Sequence, residues 1–279
     1  MAILESVRTL RDSIRVNLMM IEEADKVHRL ACLEVRGGNH RAAYAAELPG
    51  LAGWVSCRPL QPSPRGGDVY YMSACSQGVM ARVVLADVAG HGGAVSAAAD
   101  RLRDVLRHHL DSWDQSTLIR ELNDNFLKGA TSSQFATAFV ASFYSNSGEL
   151  LFTNAGHMPP LWYRAAVQEW SLLLESTPLS KEIVDLPLGL IAGTSYSQTA
   201  IQVEPGDLLL LYTDGVSEAH DESGTQLGLE RLLSIARNLP TESAAAAGKG
   251  LLAAVARFRG ATATADDVTV LALQRRAWM

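Results

Sequence analysis

Apolar residues near the start of the chain recur at intervals of three and four. Ile3, Val7, Leu10, Ile14, Leu18 and Ile21 share one stripe of a helical surface. The spacing predicts a helix over residues 1 to about 35, broken by Gly37-Gly38, with one more helical turn at Ala42–Ala46 and a boundary at Pro49-Gly50. Such a stripe either packs on its own domain or pairs with a second copy of the chain. From Gly53 the texture changes to short β-type runs bounded by turn residues. Gly53–Arg58, Val69–Cys75 and Val79–Ala86 read as strands, the last two joined by the hairpin turn Ser76-Gln77-Gly78. Ala94–Leu110 and Ser116–Lys128 read as helices. The second has an apolar face (Leu118, Ile119, Leu122, Phe126) and Ser116 as its expected cap.

Strands resume at Phe135–Ser145 and Glu149–Asn154, around Asn146-Ser147-Gly148, and continue through Pro160–Arg164 and Gln168–Leu174. Tyr196–Val203 and Asp207–Tyr212 are expected to pair across Pro205-Gly206. Two helices, Leu229–Asn238 and Glu242–Phe258, precede a last strand, Val268–Leu273. Hairpins dominate and helices come in pairs, unlike the strict alternation of a parallel, doubly wound sheet. The expected class is α+β, a four-layer α-β-β-α sandwich of two antiparallel sheets flanked by helix pairs. The expected domains are an N-terminal helical segment, 1–48, regulatory or dimerising, and one large unit, 49–279.

Composition narrows the function. With 279 residues and 48% hydrophobic content, the chain can bury a large core. A formal net charge of −6 lacks the basic footprint of a general nucleic-acid or anionic-membrane surface, so neither partner is expected. No apolar run approaches the ~18 residues of a spanning helix. Glu5 and Arg8 come too early for a secretory signal. Cys32, Cys57 and Cys75 form no CxxC pair, which fits a reduced, cytoplasmic protein.

The candidate chemistry is acidic. Asp68 follows Gly66-Gly67 and starts a strand, Asp87 ends the next, Asp214 ends the apolar run Leu209–Tyr212-Thr213, and Asp266-Asp267 open the last strand. Singly, each has an ordinary explanation as a turn, a loop or a solvated pair. Together, at strand ends that one sandwich edge can gather, they would repel unless cations filled the gap. An all-oxygen set without clustered cysteine or histidine selects hard ions, Mg²⁺ or Mn²⁺. Two such ions can clamp a phosphoryl group for in-line attack. The rival reading of Val83–Gly93 (VVLADVAGHGG) is a dinucleotide loop. Val95 stands where its third glycine belongs, and Asp87 would oppose the pyrophosphate. The chain also lacks a cysteine-phosphatase loop, a G-x-S-x-G elbow and a P-loop.

The segments GGDVYY (66–71), LADVAGHGG (85–93), FTNAGHMPPLWY (152–163), LPLGL (186–190), PGDLLLLYTDGVSEA (205–219) and DDVTVLAL (266–273) occur in an order that is itself informative. The chain from about 50 to 275 resembles the SpoIIE-like (RsbU-type) branch of the metal-dependent serine/threonine protein phosphatases, the protein phosphatase 2C superfamily. The resemblance implies the sandwich fold and two Mn²⁺ or Mg²⁺ ions. Asp87 would bridge both ions, with Asp214 and Asp266 completing one site. The Val88 carbonyl would serve the other, Asp68 acting directly or through water. It further implies that a metal-bridging hydroxide attacks a phosphoserine or phosphothreonine with no covalent intermediate, Asp68 and Asp87 being catalytic.

Other positions carry smaller expectations. His91 would touch phosphate or act as general acid, the alternative being a loop histidine that holds the glycine turn. Asn154 and His157 are expected to build a buried turn, Asp267 to be a neighbour of the ligands or a solvated acid, and His108-His109 to be exposed. Arg58 and Arg65 lie near the first strand, in no matching motif. By resemblance the substrate is a phosphorylated anti-sigma-factor antagonist of the STAS type. Helices 94–110 and 116–128 match a regulatory switch, and a homodimer would form through the N-terminal helix. The alternative function is a partner-binding switch on a phosphatase scaffold with little turnover.

Overall fold

The run Leu208–Tyr212 has no polar face, and the fold gives it none. It is a strand, β12, fully buried on both sides. A computed structural model describes residues 27–75, 77–89, 93–129, 135–174 and 185–276. In chain order the strands before the first helix are β1 (Val27–Arg29), β2 (Val35–His40), β3 (Ala42–Leu48), β4 (Leu51–Arg58), β5 (Arg65–Ala74) and β6 (Met80–Val88). Helices α1 (Gly93–His108) and α2 (Gln115–Gly129) follow, then β7 (Ala136–Tyr144), β8 (Glu149–Ala155), β9 (Leu161–Arg164), β10 (Glu169–Leu172) and β11 (Thr199–Gln202). After β12 come the single turn α3 (Asp214–Ser217), α4 (Gly228–Ala236), α5 (Ala244–Arg259) and β13 (Val268–Arg275).

The strands form a seven-stranded sheet, β1-β3-β4-β13-β12-β9-β10, and a six-stranded sheet, β11-β8-β7-β6-β5-β2. Every pair is antiparallel except β1 with β3. Strand alternation sorts the side chains. Leu209, Leu211, Val55 and Leu271 point between the sheets and meet Met72, Leu85, Phe139 and Phe152. Leu208, Leu210 and Val270 point outward and are covered by Leu232 of α4 and Leu251 of α5. On the other sheet Val69, Val84 and Val140 are covered by Leu102 of α1 and Leu118 and Leu122 of α2. This is the expected four-layer α-β-β-α sandwich.

The structure corrects the expectations in four places. The sheets begin well before residue 49: β1 and β3 belong to the seven-stranded sheet and β2 edges the other, so 27–48 are not helical. In β3 the alternating burial of Ala42, Tyr44, Ala46 and Leu48 against β4 overrides the helix preference of its alanines. Gly37-Gly38 lies inside β2, where a side chain at Gly37 would collide with the Tyr70 carbonyl. The helical stripe and dimer expected from residue 1 fall, up to residue 26, outside the described residues. Second, β11 and β12 do not pair across Pro205-Gly206. β11 adds to β8 and β12 lies between β13 and β9, so the turn carries the chain from one sheet to the other. Third, Asp114, not Ser116, caps α2, its Oδ1 accepting from Ser116 N (3.0 Å) and Thr117 N (3.1 Å). Fourth, only His108 is exposed, since His109 Nε2 lies 2.9 Å from Glu121 Oε2. Among the described residues, no helix is long and apolar enough to cross a membrane.

Candidate active site

The antiparallel pairing of β5 with β6 sets Asp68 directly opposite Asp87, and Thr137 of β7 lies next in the same row. Two carboxylates so placed repel. The other sheet brings its acids to the same edge. β12 runs out at Tyr212, Thr213 keeps an extended backbone before α3, and Asp214 is the first residue of that turn. β13 runs the opposite way beside it, so Asp266 and Asp267, just before Val268, come back to this end.

Hydrogen bonds stitch the two sheets together here. Thr213 Oγ1 donates to Asp68 Oδ2 at 2.8 Å and accepts from Thr269 N at 3.1 Å. Asp267 accepts from Leu60 N (2.5 Å) and Gly67 N (2.5 Å), with Asp68 N at 3.5 Å. Asn39 Nδ2 donates to the Gly66 carbonyl at 3.0 Å. Asp267 is therefore a buried strut, not a solvated acid. Thr213, Thr269 and Asn39 are the site residues that motif reading passed over. The two threonines sit inside quoted motifs, YTDG and DDVTV, but Asn39 carried no signal.

The electrostatics show how closely the acids are gathered. Burial, then the charge of Asp87, raises the Asp68 carboxyl well above its usual range, against the hydrogen bonds from Thr269 and Thr213. Asp87 is pushed up to about 7 by burial and then by Asp214, Asp266 and Asp267. Asp214 is raised by burial and by Asp266. Asp266 itself is exposed. Such a set is under-compensated by the protein, and a cation relieves it.

Gly67 keeps a hollow open beside these acids: a Cβ there would stand 2.9 Å from the Val88 carbonyl oxygen and 3.1 Å from Asp87 Oδ1. Among the described residues no three acidic, imidazole or thiol side chains form a closed cation cage. Ions of the Mg²⁺ type usually keep several waters and take one or two carboxylates, so an open, all-oxygen set suits them. His91 lies outside the described residues. Asn154 and His157 do build a turn, though only His157 in it is buried, Asn154 being half-buried and Gly156 exposed: Asn154 accepts from His157 N at 2.7 Å and donates to His157 O at 3.0 Å. His157 Nδ1 lies 2.9 Å from Thr137 Oγ1. Burial pushes its imidazole down to about 4, so it is neutral near pH 7, and its Nε2 is buried without a hydrogen-bond partner among the described residues.

This sandwich with acids at one edge is the fold of the protein phosphatase 2C class. The phosphatase domain of SpoIIE from Bacillus subtilis, solved with a fragment of its regulatory domain, superposes with a TM-score of 0.66 at 18% identity, over 80% of this chain and 63% of that one. The RsbU and RsbW domains of a Mycobacterium tuberculosis protein give 0.67 at 25% identity, over 86% of this chain and 64% of that one. The family described as Stage II sporulation protein E (SpoIIE) matches residues 78–276, more than half of the chain, and the chain belongs to it. It is 26% identical over 163 residues to the phosphoserine phosphatase RsbU of Bacillus subtilis, covering 57% of this chain and 44% of that protein. The chain thus spans less than half the length of that curated relative.

Proposed function

We propose that this protein is a Mn²⁺- or Mg²⁺-dependent phosphatase of phosphoserine or phosphothreonine in a cytoplasmic regulatory protein, specifically a STAS-type anti-sigma-factor antagonist. The observation that carries the reading is the meeting of Asp68, Asp87, Asp214 and Asp266 at one sandwich edge, with Asp87 pushed up to about 7 by burial and its acidic neighbours. The similarity to a phosphoserine phosphatase supports the activity. The similarity to paired RsbU and RsbW domains supports a regulatory protein as substrate. Solved relatives of this fold include a serine/threonine phosphatase with two manganese ions, which supports the cation.

Asp87, Asp214, Asp266 and the Val88 carbonyl would hold the ions, Asp68 supporting them. When bound, the ions supply Lewis acidity, activating water and neutralising the phosphoryl oxygens. The chain's own part is to hold its oxygens in place. Thr213 fixes the rotamer of Asp68 through Oγ1. Asp267 pins the backbone of Gly67, which leaves room beside Asp87. Asp68 is buried and Asp87 half-buried, and there the poorer solvation strengthens each charge interaction.

The test is hydrolysis of a phosphoserine peptide and of p-nitrophenyl phosphate with Mn²⁺, with chelator, and with Asp87→Asn. Turnover should require Mn²⁺ and fall on the order of 100-fold or more in the variant. Chelator-resistant turnover, or full activity of Asp87→Asn, would overturn the reading.

A further inference from the structure

A cavity of about 470 Å³ beside the acidic edge is lined by Arg41, Arg58 and Arg259, together with Leu60, Thr264 and Val268. The sheet register assembles it. Arg41 joins β2 to β3, and the pairing of Ala42 with Cys57 brings it beside Arg58 at the end of β4. Val268 of β13 flanks Arg58 on its other side, and Arg259 is the last residue of α5. Like charges on neighbouring strands repel. Even so, among the described residues none of the three arginines has an acidic partner.

Their polar contacts are sparse. Arg58 Nε donates to Ser56 Oγ at 3.2 Å, and Arg259 donates to Thr264 Oγ1 at 2.7 Å while its own Nε is buried without a partner. Arg41 and Arg58 are exposed, so an arriving group can reach them. Though Arg58 is exposed overall, its guanidinium is partly desolvated against the cavity wall, and this, then the charges of Arg41 and Arg259, lowers its pKa. On a chain of net charge −6 this is a local reversal of sign.

The cavity adjoins the acidic site through shared wall residues. Leu60, in its wall, donates its N–H to Asp267, which also holds Gly67. Arg259 and Thr264 face a second cavity of about 290 Å³ as well, whose lining includes Glu218 and Asp266. A polypeptide with its phosphorylated residue at Asp266 would therefore lay a neighbouring side chain among the guanidiniums.

We propose that the cavity lined by Arg41, Arg58 and Arg259 is a docking subsite for an anionic side chain of the substrate polypeptide, a carboxylate or a second phosphate, flanking the residue to be dephosphorylated. Guanidinium forks suit both groups, which they bind with paired hydrogen bonds. The subsite rests on the phosphatase reading above for its place in catalysis, but not for binding.

The test uses fluorescent phosphoserine peptides that differ only in flanking residues: Glu, a second phosphoserine, Gln or Lys. Binding is read by anisotropy in chelator and hydrolysis with Mn²⁺, for wild type, Arg259→Ala and Arg41→Glu. Wild type should bind one or both anionic peptides ~10-fold more tightly than the Gln peptide. Which of the two gains identifies the anion. Arg259→Ala should lose most of that preference through KM rather than kcat, and Arg41→Glu should shift it toward the Lys peptide, a gain that misfolding cannot mimic. Equal binding of all flanks by wild type would overturn the subsite. So would a parallel loss on p-nitrophenyl phosphate, which carries no flank. If wild type hydrolyses nothing but keeps an arginine-dependent preference, the phosphatase reading fails and the subsite stands.

Discussion

Asp87 sums up the residue scale, because its charge conflicts with its surroundings unless something is added. Its carboxyl titrates at about 7 in the folded chain against an ordinary 3.8. The folded protein therefore keeps a proton that the unfolded chain releases. The stability this group contributes is complete below pH 3.8 and is lost as pH rises through 7. Asp68 and Asp214 shift the same way. His157 has the opposite sign: lowered from 6.5 to about 4, it contributes stability above 6.5 that is lost on acidification. Between about pH 6.5 and 8 its contribution is constant, and the acids alone set the slope. In chelator, Asp87 should lower stability over that window by no more than about 1 kcal/mol, most of its loss falling between pH 3.8 and 7. Saturating Mn²⁺ should restore it at pH 8, and Asp87→Asn should flatten both responses. Thermal melts at a series of pH values check this; a Tm that climbs with pH in chelator would contradict it.

At the scale of elements, local preference and packing disagree in α5. Its Ala244–Gly250 stretch reads as ordinary helix composition, yet a side chain at Gly248 would run into the Trp54 ring beneath it. Gly248→Ala gains up to about 1 kcal/mol of helix propensity and meets an overpacking cost of roughly 1–3 kcal/mol against a buried aromatic. The second term is larger, so the substitution should lower Tm, and denaturant melts should show a net loss of about 1 kcal/mol. A stabilised variant would mean that α5 can lift from the sheet freely. Strands with turn chemistry at both ends, such as β6 and β8, were legible in the sequence because polar turns bound them. β2 and β3 were not. A Gly-Gly pair and an alanine-rich run carry no two-residue period, and only the partner strands β5 and β4 make them extended.

For the whole molecule, the consequence is where the folded sandwich starts. A chain beginning at residue 49 would lack β1 and β3 from one sheet and β2 from the other. It would expose the edges of β4 and β5 and uncover Tyr70, which packs against Tyr44 with ring centroids 6.3 Å apart. Unpaired edges of that kind invite aggregation. The 49–279 fragment is expected to be insoluble or to unfold without a cooperative transition, whereas 27–279 should melt as one unit. A folded, cooperative 49–279 fragment, seen by circular dichroism, would refute this.

The sequence by itself determined the alternation of apolar and polar positions in most strands, the four layers they require, and the acids at strand ends. Those are properties of short segments, and side-chain period and turn residues are local. It also placed only oxygen donors, with no clustered cysteine or histidine, at those strand ends. Tertiary structure decided what depends on which strands are neighbours. It sent β11 and β12 to different sheets, made Asp267 a strut between sheets, held Asp68 through Thr213, and set Arg41 beside Arg58 in an arginine cavity next to the acids. The physical reason is that repulsion, burial and hydrogen bonding act across space. Residues 145 positions apart, such as Asp68 and Thr213, meet only once both sheets are paired and packed.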